Sequence, residues 1–261
     1  MNTFFLILLF NFLGSVISLM GGVFLLFKQD YAYRISHILS SFAAGTLLGT
    51  VFFDLLPESL DLARQLHIDN SFVFSWTLSG ALFFFILERF LHWFHHHSFE
   101  EHEIKGKPIV PLMIIGDTIH NFIDGVAIAA TFIANVPLGI ITTFAVGAHE
   151  IPQEIGDFGV MLKNKMSRKK VLTVNIVSAL ASFLGAVLAY YYGSRIESLS
   201  VIFLSLTSGF FLYISLSDLI PEIHHENKKG LAIRETLSLL MGVLTIFIAL
   251  FVIEKIFNIH P

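Results

Sequence analysis

The chain has no cysteine and little charge: only 14% of its 261 residues are Asp, Glu, Lys or Arg. Without cysteine there is neither a disulfide framework nor a thiolate ligand, so a metal would have to be held by His, carboxylate, amide or Met. With 55% hydrophobic residues and a mean hydropathy of +0.76, a soluble globular domain is excluded and a membrane protein is expected. The formal net charge is -4 and the positive residues fall in short clusters, which excludes a nucleic-acid partner. The stretch from Asn2 to Phe27 carries no charged residue and exceeds a signal-peptide apolar core, so it reads as a retained helix.

What is abundant is long apolar runs. A hydrocarbon core about 30 Å thick takes roughly 20 helical residues per crossing. The runs predict an all-α, polytopic domain over residues 1–261, with eight transmembrane helices near 3–27, 35–61, 71–94, 109–134, 138–162, 171–192, 199–221 and 232–256. Thirteen Lys and Arg follow the odd-numbered spans, against Arg64, Arg195 and Lys255 on the other side. The positive-inside rule then puts both termini outside the cell membrane and the His-bearing loop 95–107 in the cytoplasm.

Asp54-Leu55-Leu56-Pro57-Glu58 in the second span matches Asp218-Leu219-Ile220-Pro221-Glu222 in the seventh, and the same offset aligns Ser41 with Ser205 and Gly45 with Gly209. Because those spans run in opposite directions, the repeat is inverted. Spans one to three and six to eight would form its copies around a central hairpin of spans four and five, an arrangement typical of transporters.

The hairpin carries the chemistry. Asp117, His120, Asn121 and Asp124 share one face of span four, and His149, Glu150, Gln153, Glu154 and Asp157 form one stripe on span five. Ionisable groups at membrane depth are costly unless paired, hydrated or metal-bound, so these stripes mark a functional site. A hairpin folded about Pro137 levels Asp124 with Glu150, Asn121 with Gln153, His120 with Glu154, and Asp117 with Asp157. Pro152 removes one backbone N–H inside the second stripe. Imidazole with carboxylate suits Zn²⁺, Fe²⁺, Mn²⁺ or Cd²⁺ better than Ca²⁺ or Mg²⁺.

That chemistry implies a metal carried as substrate, with no cofactor and no catalytic residue. A metalloprotease HExxH motif would need His at position 153, where the chain has Gln; an enzyme is therefore not expected. A cation channel and a carrier of other divalent ions remain as alternatives. Asp54 and Glu58 lie toward the outside and Asp218 and Glu222 toward the cytoplasm, as expected of entrance and exit carboxylates. His92, His95, His96 and His97 would bind released metal and report its level.

The strings His120-Asn121-Phe122-Ile123-Asp124-Gly125 and His149-Glu150-Ile151-Pro152-Gln153-Glu154, followed by Gly156-Asp157-Phe158, resemble the fourth- and fifth-helix motifs of the ZIP (Zrt/Irt-like) metal transporters, in the branch whose fifth helix reads HExPHE. The resemblance implies a primary site of His120, Asp124, His149 and Gln153, with Asn121 and Glu150 at an adjoining position. It also implies zinc transport toward the cytoplasm, a homodimer, and movement of spans one, four, five and six against the rest. Gln153 departs from the branch, which has His there, and span six carries no carboxylate.

Overall fold

In a computed structural model of the chain, residues 2–96, 109–193, 197–221 and 229–257 are described. Helices α1 (Thr3–Phe27) and α2 (Gln29–Thr50) are followed by a π-helical segment, Val51–Leu55, leading into α3 (Leu56–Gln65). Then come α4 (Asn70–His96), α5 (Ile109–Ala134), α6 (Val136–Lys163) and α7 (Arg168–Gly193). Helix α8 (Glu197–Tyr213) runs into a second π segment, Ile214–Leu219, and α9 (Lys229–Phe257) completes the bundle. There is no strand among the described residues.

Among the described residues, seven stretches are long and apolar enough to cross a membrane, and the α2–α3 crossing extends to Gln65, beyond the expected end at 61. The long helix outside that set is α6, which carries Glu150, Glu154 and Asp157. The outer surface is apolar, with Met20, Leu78, Ile86, Leu180 and Phe251 exposed, while Asn11, Thr46, Asp124, His149 and Ser208 are buried. That inside-out distribution is the one a lipid solvent selects.

Small residues set the helix pairs and reveal how far the repeat extends. Gly45 of α2 lies so close to α9 that a side chain there would strike the Leu239 carbonyl and the Val243 amide. Gly209 of α8 meets the Thr77 carbonyl and Ala81 amide of α4 in the same way. Reciprocally, Gly242 of α9 abuts the Phe42 carbonyl of α2, and Gly80 of α4 abuts the Leu206 carbonyl of α8. A shift of 164 residues carries α2 onto α8, and one of 162 carries α4 onto α9, superposing every one of these contacts. Likewise Gly21 of α1 against the Ile151 carbonyl of α6 becomes Gly185 of α7 against the Phe122 carbonyl of α5. The central helices are thus counterparts of each other at a shift of 29, which exchanges His120 with His149.

The π segments repeat as well. Each lies just before a proline, with the Leu56 N–H donating to the Val51 carbonyl and the Ile220 N–H to the Ser215 carbonyl, five residues back. Widening the helix accommodates the N–H that Pro57 and Pro221 lack. Asp54 and Asp218 sit inside these wide turns.

Two groups of helices result. Helix α1 packs on α6 and α5 on α7, while α2 packs on α9 and α4 on α8; α2 with α6 and α5 with α8 join the groups. The main apolar core, including Leu47, Val51, Ile123, Ile128 and Phe132, fills the half of the bundle nearer the chain termini.

A candidate metal centre between the two central helices

The hairpin pivots on Asn135, not on Pro137. The Asn135 side-chain oxygen accepts the Leu138 N–H at 2.7 Å, capping α6, and Pro137 falls inside the first turn. Moving the pivot two residues back shifts the facing partners by four, one helical turn. His120 therefore comes level with Glu150 and beside His149, instead of facing Glu154.

His120 Nε2 lies 3.0 Å from His149 Nε2, and Asp124 Oδ2 lies 3.5 Å from each. All three ligand atoms fall within 4.8 Å of one another on buried residues, the one such group among the described residues. Tetrahedral zinc with bonds of about 2.0–2.1 Å separates neighbouring ligand atoms by about 3.3 Å. The three observed separations bracket that edge length. His149 Nδ1 donates to the Ala145 carbonyl at 3.2 Å, which aims Nε2 at the cluster. The ring of Phe84, from α4, stands edge-on to His120 at 5.6 Å, and Phe211, from α8, stands against His149 at 6.1 Å. Both imidazoles are thereby wedged by aromatic residues of the other helix group.

The remaining residues of the two stripes surround this trio. Glu150 is buried, with one carboxylate oxygen lacking a partner. Asn121 turns away from the imidazoles and donates to the Asp117 side chain and carbonyl, both at 3.0 Å. Glu154 is 3% exposed, with one carboxylate oxygen lacking a partner, within electrostatic reach of Asp117 and Asp157. Gln153 is half-buried and lines a cavity.

That cavity, about 430 Å³, has His120 and His149 at its inner end and includes Asp117, Asp157, Asp218 and Glu88. Burial declines along it from the imidazoles to exposed Gly156 and Asp218, so it leads to the face bearing the basic loops. On the opposite face Glu58 lines a separate pocket of about 280 Å³ with Ser200 and Gly193, while half-buried Asp54 lines neither. Apolar core lies between that pocket and the imidazoles. His92, His95 and His96 fall in the last turns of α4, while His97 and Glu222 lie outside the described residues.

Sequence reasoning passed over Phe84, Glu88 and Tyr213. The Tyr213 hydroxyl donates to Glu88 Oε2 at 2.5 Å, linking α8 to α4 at the cavity wall, and the Tyr213 ring tilts against Phe84 at 5.6 Å. The one available signal was Glu88 itself, an acidic residue near the end of an apolar run.

A family model described as ZIP Zinc transporter matches residues 4–110 and 99–250. Zinc transporter ZIP13 of Pongo abelii is 31% identical over 273 residues, covering 93% of this chain and 78% of that protein. The ZIP13 of Mus musculus is 30% identical over 298 residues, covering 93% and 80%. Zinc transporter ZIP10 of Homo sapiens is 35% identical over 188 residues, covering 64% of this chain but only 23% of the much longer relative.

Proposed function

Because the chain belongs to the ZIP family of zinc transporters, we propose that it carries divalent metal, with zinc as the preferred ion, across a membrane to the cytoplasm. It is a transporter and not an enzyme, and the metal is its substrate. The observation that carries the reading is the placement of two imidazole nitrogens and one carboxylate oxygen at near-tetrahedral separations, buried where two antiparallel helices face each other.

In this scheme His120, Asp124 and His149 hold the ion. Glu150, Gln153, Asn121 and Glu154 supply adjoining oxygens along which it is handed on. Release follows the cavity past Asp117 and Asp157 to Asp218 and Glu222, and Asp54 and Glu58 attract the ion from the opposite side. The loop histidines His92, His95, His96 and His97 sense released metal, and the chain works as a homodimer in the cell membrane with both termini outside. A cavity that ends at the ligands, with apolar core beyond them, favours a carrier over a continuous channel.

The test is zinc uptake by proteoliposomes holding the full chain. Saturable uptake that falls at least tenfold in His120→Ala and in Asp124→Ala is expected, as loss of a direct ligand should exceed the 10–100-fold seen for supporting groups. Normal uptake by either variant would overturn the assignment. Competition by Fe²⁺, Mn²⁺ and Cd²⁺ in the same vesicles ranks the ions.

A further inference from the structure

The repeat does more than describe the fold, because it converts the one opening that exists into a specification of the other. Applying its shifts to the lining of the cavity sends each residue to a counterpart on the opposite side of the histidines. Asp218 goes to Asp54 and Phe84 to Ile246; Asp117 and Asp157 go to Val146 and Ile128. Ile214 goes to Thr50 and Met113 to Thr142. Apart from Asp54, these counterparts are closed off, none more than 4% exposed. The histidines exchange with each other and stay at the centre.

A second and independent observation falls on two of these positions. The hydroxyls of Thr50 and Thr142 are buried and have no hydrogen-bond partner. Other buried threonines in these helices behave differently: Thr46, Thr77, Thr131 and Thr143 each donate to a carbonyl three or four residues earlier. Helical threonine has that carbonyl within easy reach. A buried hydroxyl that makes no bond is costly in this closed arrangement, and a state that brings it to water or to a passing ion removes the cost.

We propose that Thr50 and Thr142 line the second approach to the metal centre, opposite the acid-lined cavity, and meet the partly dehydrated cation before the histidines do. The proposal rests on the transport reading above for the identity of the ion. Helices α2 and α6 contribute one hydroxyl each, and these two helices also form one of the contacts between the helix groups. A shift of one group against the other therefore changes the surroundings of both hydroxyls. Asp54 lies in the wide turn that follows Thr50. The hydroxyls offer the ion neutral oxygen ligands on a side where the counterpart positions of Asp117 and Asp157 are Val146 and Ile128.

The natural absence of cysteine makes the test direct. Single variants Thr142→Cys and Thr50→Cys, with their counterparts Met113→Cys and Ile214→Cys, are reconstituted as full chains in sealed vesicles of known orientation. They are treated with a membrane-impermeant maleimide with and without zinc. Met113→Cys and Ile214→Cys are expected to react from the face bearing the basic loops. Thr142→Cys and Thr50→Cys are expected to react from the face bearing the termini, at a rate that zinc changes by at least threefold. Absence of reaction at both threonine positions from that face, while Met113→Cys reacts, would overturn the proposal, as would reaction of all four from one face. Two threonine positions guard against one variant misfolding. Labelling is read without reference to uptake, so a parent protein that took up no zinc would sink the transport reading and leave this one standing.

Discussion

Where α4 carries Phe84 and Glu88 toward the basic loops, its counterpart α9 carries Ile246 and Leu250 toward the termini. Where α8 places Tyr213 to bond Glu88 at 2.5 Å, α2 has Gly49. The glycine contacts that join these helices superpose across the repeat, whereas the side chains facing the ion pathway do not. The difference teaches that two jobs are divided between backbone and side chains. A symmetric backbone sets the helix pairs, and an asymmetric lining distinguishes the two halves. Acids and a tyrosine hydrate one half; valine, isoleucine and leucine seal the other.

The comparison can be broken most severely at its centre. His120 and His149 exchange under the repeat, so His120→Ala and His149→Ala should lower zinc affinity by similar factors of at least tenfold, measured by titration calorimetry on purified protein. Losses differing a hundredfold would show that the exchange is of position only. Next come the matched glycines: Gly45→Leu and Gly209→Leu each force a side chain into the facing backbone and should destabilise by about 1–3 kcal/mol or more. Thermal melting in detergent checks that the two midpoints fall together.

Smaller effects sharpen the asymmetric part. Tyr213→Phe keeps the ring against Phe84 and removes the bond to Glu88, with an expected cost of about 1 kcal/mol. A double-mutant cycle of melting midpoints with Glu88→Gln reads the coupling across this bond. Asn135→Ala removes the α6 cap at the hairpin and should cost about 1 kcal/mol, seen as a small fall in the same midpoint.

Much of the architecture was legible because lipid imposes long apolar runs and because the two Asp-Leu-(Leu/Ile)-Pro-Glu strings are near copies. The relation between α5 and α6 was not, since His120 and His149 match but Asp124 aligns with Gln153 and Asp117 with Val146. The helix contacts carry that relation, and they are made by backbone. The stripe of candidate ligands was readable from helical spacing, yet its pairing was not. Proline marked a turn near the hairpin, while the chain in fact reverses at the asparagine two residues earlier, where a side-chain cap decides the matter. Phe84 and Tyr213 are indistinguishable in sequence from the many aromatic residues that merely face lipid, such as Phe74 and Phe85.

The 3.0 Å approach of the two imidazoles has a consequence for the tautomers the rings hold. Two ring nitrogens at that distance need a hydrogen between them. His149 spends its own on the Ala145 carbonyl through Nδ1, so, with both rings neutral, its Nε2 is the acceptor and His120 Nε2 is the donor. With both rings neutral, His120 is thus in the tautomer that carries its hydrogen on Nε2. Were His120 to bind a cation through Nε2, the ring would give up that hydrogen and gain one at Nδ1, a change of tautomer with no net proton released.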